Sequence, residues 1–200
     1  VSSPIDFYFD FSSPYAYLAS EWIEALAERH GRSVRWHAIL LGVTFQAAEL
    51  KSPVSHPIKG DYAYRDFARS ARFEGVPYEQ PGPFPIPTQN AARVFWWLQE
   101  RDAGQAVAWA HAAFRAFFTR GVALNDAAQL KALAAEHGLD ADAAERAWNE
   151  QAWKDRLRQV NEAALQAGVF GAPFFIVDGE PFWGNDRKAQ LERWLASGPF

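Results

Sequence analysis

The sequence predicts an α/β protein whose strand-bearing ends are separated by a long all-helical stretch. Three observations lead there. Ile5-Asp6-Phe7-Tyr8-Phe9 is a short aromatic-rich run bounded by Pro4 and the 10–14 segment, with the marks of a buried strand. Between residues 42 and 151 strand signals vanish and helical periodicity recurs. Strand character then returns at Phe174-Phe175-Ile176-Val177.

Taken in order, Ser13-Pro14 follows the first strand and suits a helix start, Ser as N-cap and Pro at the first helical position. Tyr15, Leu18, Trp22 and Leu26 continue it at helical spacing toward His30-Gly31. Val34-Arg35-Trp36-His37-Ala38-Ile39 alternates apolar and polar as a second strand, and the β-α-β unit predicts parallel pairing. The helical stretch places helices at 62–73, 88–100, 105–118, 127–137 and 141–149. Its breaks are a proline-rich connector at 76–87 and Gly104, Gly121 and Gly138. No fixed period aligns these helices as a solenoid. Trp153, Leu157, Val160 and Leu165 mark a further amphipathic helix ending at Gly168. Asp178-Gly179 is a favoured hairpin turn leading into Phe182-Trp183, and Pro181 puts that strand on a sheet edge. A last helix carries Leu191, Trp194 and Leu195 on one face. The expected division is residues 1–41 with 152–200 as the α/β part, and 42–151 as a helical insertion domain.

Composition narrows the function. With 49% hydrophobic residues in 200, a sizeable core is available. A formal net charge of −4 argues against a nucleic-acid binder and gives no support for docking on anionic membranes. The longest apolar runs, 38–43 and 169–177, are strand-sized rather than membrane-spanning. Strand-like sequence from Pro4 leaves no room for a leader, so a cytoplasmic location is expected; Val1 and the absence of Met read as a trimmed or engineered start. The chain has no cysteine, which removes disulfides, thiolate metal sites and protein-borne thiol chemistry. His30, His37, His56, His111 and His137 show no metal-ligand spacing, so no metal is expected. Neither a phosphate-cradling glycine loop nor a nucleophile-elbow pattern is present.

The chemistry is expected where the first helix starts. Free N–H groups and the positive end of the helix dipole converge there, and stabilise anions and thiolates. Ser13 occupies that point, as a plain cap or as a donor to a bound anion. Gly171-Ala172-Pro173-Phe174 sets a proline just before a strand, where a cis bond would turn the Ala172 N–H and C=O toward a bound peptide.

These pieces resemble the thioredoxin superfamily, in its DsbA-like branch with a helical insertion. Ser13 and Ala16 stand where disulfide oxidoreductases of that branch carry cysteines, so disulfide exchange is excluded. The sequence is most similar to 2-hydroxychromene-2-carboxylate isomerases and kappa-class glutathione transferases. The matching motifs are the 6–18 segment from Asp6 to Leu18, Lys59-Gly60 with Tyr62, the 168–173 segment, and Trp183-Gly184-Asn185-Asp186-Arg187. The resemblance implies glutathione as cofactor, a small aromatic substrate and a homodimer. It implies that Ser13 donates to the glutathione sulfur and that Ala172, beside Pro173, pairs with its cysteinyl backbone. Asn185 and Asp186 would hold the γ-glutamyl end, or merely cap the last helix. Arg187 is a carboxylate partner or a solvated charge, and Lys59 a carboxylate partner or an exposed helix-start lysine. Leu50 departs from the family, which often has Asn there. The implied activity is a glutathione-dependent isomerase; a kappa-class-like transferase or peroxidase and a non-catalytic glutathione-binding module are the alternatives.

Overall fold

The computed structural model describes residues 3–200. A four-stranded sheet has the order β2-β1-β3-β4, built from β1 (Ile5–Phe9), β2 (Val34–Ala38), β3 (Phe174–Val177) and β4 (Glu180–Trp183). β1 pairs parallel with β2 and antiparallel with β3. The hairpin between β3 and β4 turns at Asp178 and Gly179, with φ of 53° and 85°. That double left-handed turn is what Asp-Gly favours. Pro181 lies on β4, an edge strand, where its missing N–H costs no ladder bond.

Side-chain alternation gives the sheet two chemically distinct faces. Phe7 and Phe9 share one, and Trp36 and Phe175 lie directly opposite Phe7 on the neighbouring strands. Ring centroids there are 4.9 Å (Phe7–Trp36) and 5.4 Å (Phe7–Phe175). The other face carries Asp6 and Tyr8 opposite Arg35 and His37. Arg35 grips Asp6 with two hydrogen bonds of 2.5 and 2.8 Å, a cross-strand pair of opposite charge.

The helix after β1 is broken into α1 (Pro14–Ser20) and α2 (Ile23–Arg29), where the sequence predicts one. Ser20 bonds back to the Tyr17 carbonyl at 2.6 Å, a bond that competes with the helical ladder. Trp22 is drawn inward, its ring 5.4 Å from Phe175 and its indole N–H bonded to Asn185.

Between β2 and α9 (Gln151–Gln166) run α3 (Leu41–Ala47), α4 (Lys59–Glu74), α5 (Gln89–Gln99), α6 (Ala103–Arg120), α7 (Ala127–Glu136) and α8 (Ala141–Asn149). The chain closes with α10 (Lys188–Ser197). Asp102, Asp126 and Asp140 cap α6, α7 and α8 by accepting from their first-turn N–H groups. The apolar residues of sheet and helices form one continuous core. Phe9 meets Phe95 of α5 at 5.3 Å and Phe114 of α6 at 5.5 Å, and Tyr17 stacks on Phe118 at 5.3 Å. α1, α5 and α6 thus pack as the cover of the sheet's aromatic face. Among the described residues no helix is long and apolar enough to cross a membrane.

Glu21 fastens α1 to α6 through Arg115, with bonds of 2.9 and 2.7 Å. Burial pushes Glu21 up, but His111 and Arg115 beside it outweigh that and hold it at about 2, below the ordinary 4.5. Asp6 is likewise raised by burial and more than offset by His37 and Arg35, reaching about 2 from 3.8. A carboxyl lowered on folding adds stability above its unfolded pKa and loses it as pH falls toward the folded one. Both groups are partly solvated, so each contributes about 1–2 kcal/mol after screening. Urea midpoints should therefore hold steady from neutral pH down to about 5 and fall from there toward about 2. Glu21→Gln should shrink that fall, and an equally steep fall in the variant would remove Glu21 from the account.

Candidate active site

Asp10 directly follows β1 and is 3% exposed. A buried carboxylate needs donors, and Asp10 has four. One oxygen accepts from the Ser12 N–H at 2.7 Å, the Ser12 hydroxyl at 2.9 Å and the Thr88 hydroxyl at 2.8 Å. The other accepts from the Leu41 N–H at 2.7 Å. Its main-chain carbonyl accepts from the Ser13 N–H at 2.9 Å. One side chain thus fixes the loop before α1, the start of α3 and the residue preceding α5.

Ser13 is held at the N-cap of α1 with extended backbone, and Pro14 fills the first helical position. Its oxygen accepts from the Ala16 N–H at 3.1 Å, and its proton goes to the Ala172 carbonyl at 3.2 Å. The Ala172–Pro173 bond is cis, as the sequence predicts, and it lies against Ser13. The Pro173 carbonyl accepts from the Gly184 N–H at 3.0 Å, which brings the 185–187 turn alongside. Gly171 permits this packing, since a Cβ there would come within 2.5 Å of the Trp183 indole nitrogen.

These segments wall a cavity of about 590 Å³. Ser13, Ala172, Pro173, Asn185, Asp186 and Arg187 all line it. Leu41, Phe45, Pro53, Phe67, Phe84 and Pro85 supply apolar lining to the same cavity. Lys59 and Leu50 are exposed and outside the lining. Capping of the last helix by Asn185 or Asp186 is corrected by the structure. The two open a short 3-10 turn (Asn185–Arg187), and neither it nor α10 has a side-chain cap bond. Asn185 instead accepts from the Trp22 indole at 2.8 Å, and Asp186 lies 3.4 Å from Arg187.

Sequence reasoning missed the latch between α1 and α4. The Tyr15 hydroxyl donates to Asp66, and Arg69 donates to the other oxygen of that carboxylate. Burial and the Asp66 charge push the Tyr15 phenol well above its ordinary range, so it stays a donor at neutral pH. Burial raises Asp66, while Tyr15 and Arg69 more than cancel it and leave the carboxyl below its usual range. The available signal was the i,i+4 spacing of Tyr62 and Asp66, which puts both on one face of α4.

A strand running directly into a capped helix, beside a cis-proline loop, defines the class of protein. A family model described as DSBA-like thioredoxin domain matches residues 4–196, and the fold is a thioredoxin fold with helices inserted. Within that class the chain belongs to the 2-hydroxychromene-2-carboxylate isomerase family of enzymes. It is 34% identical over 197 residues to the 2-hydroxychromene-2-carboxylate isomerase of Sphingobium xenophagum, covering 98% of this chain and 99% of that one. A solved 2-hydroxychromene-2-carboxylate isomerase superposes with a TM-score of 0.86 at 30% identity, over 96% of this chain and 94% of that one. Glutathione S-transferase kappa 2 of Caenorhabditis elegans is 28% identical over 214 residues, covering 98% of this chain and 92% of that one.

Asp10→Asn keeps the shape but turns one acceptor oxygen into a donor group. At least one of the N–H groups of Ser12 and Leu41 would then face another donor. A buried unmatched donor costs about 1–3 kcal/mol. Urea unfolding of Asp10→Asn should show a loss of that size with an unchanged slope; stability equal to the parent would mean the four contacts are incidental.

Proposed function

We propose that this chain is a glutathione-dependent isomerase of conjugated aromatic compounds of the 2-hydroxychromene-2-carboxylate type. The observation that carries the proposal is the convergence of the Ser13 hydroxyl, the Ala172 carbonyl and the 185–187 turn on one cavity that also has apolar lining. The similarity to isomerases along the whole chain and the kappa-class relative support it.

The residues present fit glutathione. Asp186 offers a carboxylate to an ammonium, Arg187 a guanidinium to a carboxylate, and the Ala172 backbone two groups to a peptide. When bound, glutathione supplies a thiolate able to add reversibly to a conjugated carbon, so that rotation about the former double bond can precede its departure. Ser13 supplies a donor at the sulfur. Its single proton is spent on a long 3.2 Å bond to Ala172, so turning it toward a charged acceptor exchanges a weak bond for a stronger one. Nucleophilic attack by Ser13 itself is disfavoured, because among the described residues no histidine lines the cavity to activate it. Leu41, Phe45, Pro53 and Phe84 give an aromatic ring an apolar surface and exclude water beside the sulfur. A cytoplasmic homodimer belongs to the same reading.

The kappa-class relative motivates one other outcome, in which the thiol is retained by the product. Product should accumulate with a 2-hydroxychromene-2-carboxylate substrate while free thiol stays constant, and Ser13→Ala should slow turnover about tenfold or more, the value of a hydrogen bond to a charged group. Stoichiometric thiol loss would make the chain a transferase, and turnover without glutathione would end the proposal.

A further inference from the structure

A second cavity, of about 440 Å³, lies at the β2 edge and shares no residue with the one around Ser13. Tyr8 and His37 are direct cross-strand partners and stack with centroids 4.5 Å apart and planes 14° from parallel. Trp96 of α5 adds a third ring 6.3 Å from His37. α9 contributes Arg156, Gln159 and Val160.

Among the polar groups at this cavity that have no protein partner in the described residues, two matter here, the Tyr8 hydroxyl and the Arg156 guanidinium. Tyr8 is 9% exposed, yet its hydroxyl has no hydrogen-bond partner among the described residues. The ring is buried, while the hydroxyl oxygen keeps solvent access at the cavity. Burial and the nearby Asp6 charge push its pKa up, so it remains protonated and able to donate. The second group is Arg156. Its guanidinium lies 5.0 Å from the centre of the Trp96 ring and pairs with no carboxylate among the described residues. The other cation here is committed, since Arg35 is bound to Asp6 by two hydrogen bonds. His37 also turns one ring nitrogen to Asp6, at 2.7 Å. Asp6 itself does not line the cavity.

A phenol donor open to the cavity, aromatic rings beside it and an exposed cation without a carboxylate partner describe a ligand with an oxygen substituent, a planar ring and a negative charge. We propose that this cavity binds a hydroxylated aromatic carboxylate, its ring against the Tyr8, His37 and Trp96 faces, its hydroxyl at Tyr8 and its carboxylate at Arg156. The site stands apart from the isomerase chemistry and does not depend on it.

The test uses 4-hydroxybenzoate and benzoate, titrated by calorimetry and by amide chemical-shift changes, with glutathione saturating the first cavity. The proposal expects 4-hydroxybenzoate to bind more tightly than benzoate and to shift the resonances of Tyr8, His37 and Trp96. Tyr8→Phe should weaken 4-hydroxybenzoate about tenfold and leave benzoate nearly unchanged. Arg156→Gln, at an exposed position, should weaken both several-fold, and Ser13→Ala neither. No binding at about 10 mM ligand, equal affinity for the two acids, or indifference to both Tyr8→Phe and Arg156→Gln would overturn it.

Discussion

The site rests on one buried carboxylate. Asp10 sits at the end of the central strand, and its side chain gathers Ser12, Leu41 and Thr88 while its carbonyl takes the Ser13 N–H. The side-chain contacts tie three parts of the chain distant in sequence, and each satisfies a donor that burial would otherwise penalise. A network of this kind is rigid because no member can leave without orphaning another. The loop carrying Ser13 is therefore anchored from below by Asp10 and from the side by Ala172. This allows a small hydroxyl to be aimed at a defined point.

The sheet and the helices share responsibility for the cavity. Phe9, Phe11, Phe95 and Phe114 pack against one another across the boundary, so the helices are seated on the sheet by the core itself. Polar bonds then set their detail. Glu21 with Arg115 fastens α6, Tyr15 with Asp66 fastens α4, and the Leu40 N–H is taken by Asn161 of α9. Tyr15 of α1 thereby meets Asp66 of α4 at the lining of the cavity. The 185–187 turn completes the polar end, held by Trp22 through Asn185.

Much of this was legible in the sequence. The strands were, because aromatic residues at period two and the Asp178-Gly179 pair leave few alternatives. The helices α6 to α8 were, from helical periodicity broken at Gly121 and Gly138, although Gly104, expected as a break, lies inside the first turn of α6. The helix α3 was not: its first N–H groups are answered by Asp10 and Asn161, so its cap lies 31 and 121 residues away. The break between α1 and α2 was hidden for the same kind of reason, since Trp22 is pulled by contacts made 163 residues later. Motifs in the sequence singled out residues that line the cavity, namely Ser13 at the start of α1, Ala172 before β3 and the 185–187 turn. Asp66 was not, because its role exists only once α4 is laid against Tyr15. Lys59 illustrates the converse, a motif position that the fold leaves at the surface outside the lining.

The central claim is that the anchored Ser13 hydroxyl stabilises a thiolate. A free thiol ionises near ~8.5. A hydrogen bond to charged sulfur is worth about 1.5–3 kcal/mol, or about 1–2 pKa units, while the helix terminus adds about 0.3–1 kcal/mol and desolvation opposes both. The most direct measurement is the ultraviolet absorbance of protein-bound glutathione thiolate as a function of pH, in the parent and in Ser13→Ala. The account predicts a parent thiol ionising near neutral pH and a variant that still binds glutathione but ionises about 1–2 units higher. Superimposable titration curves would contradict it and leave Ser13 as the cap of α1.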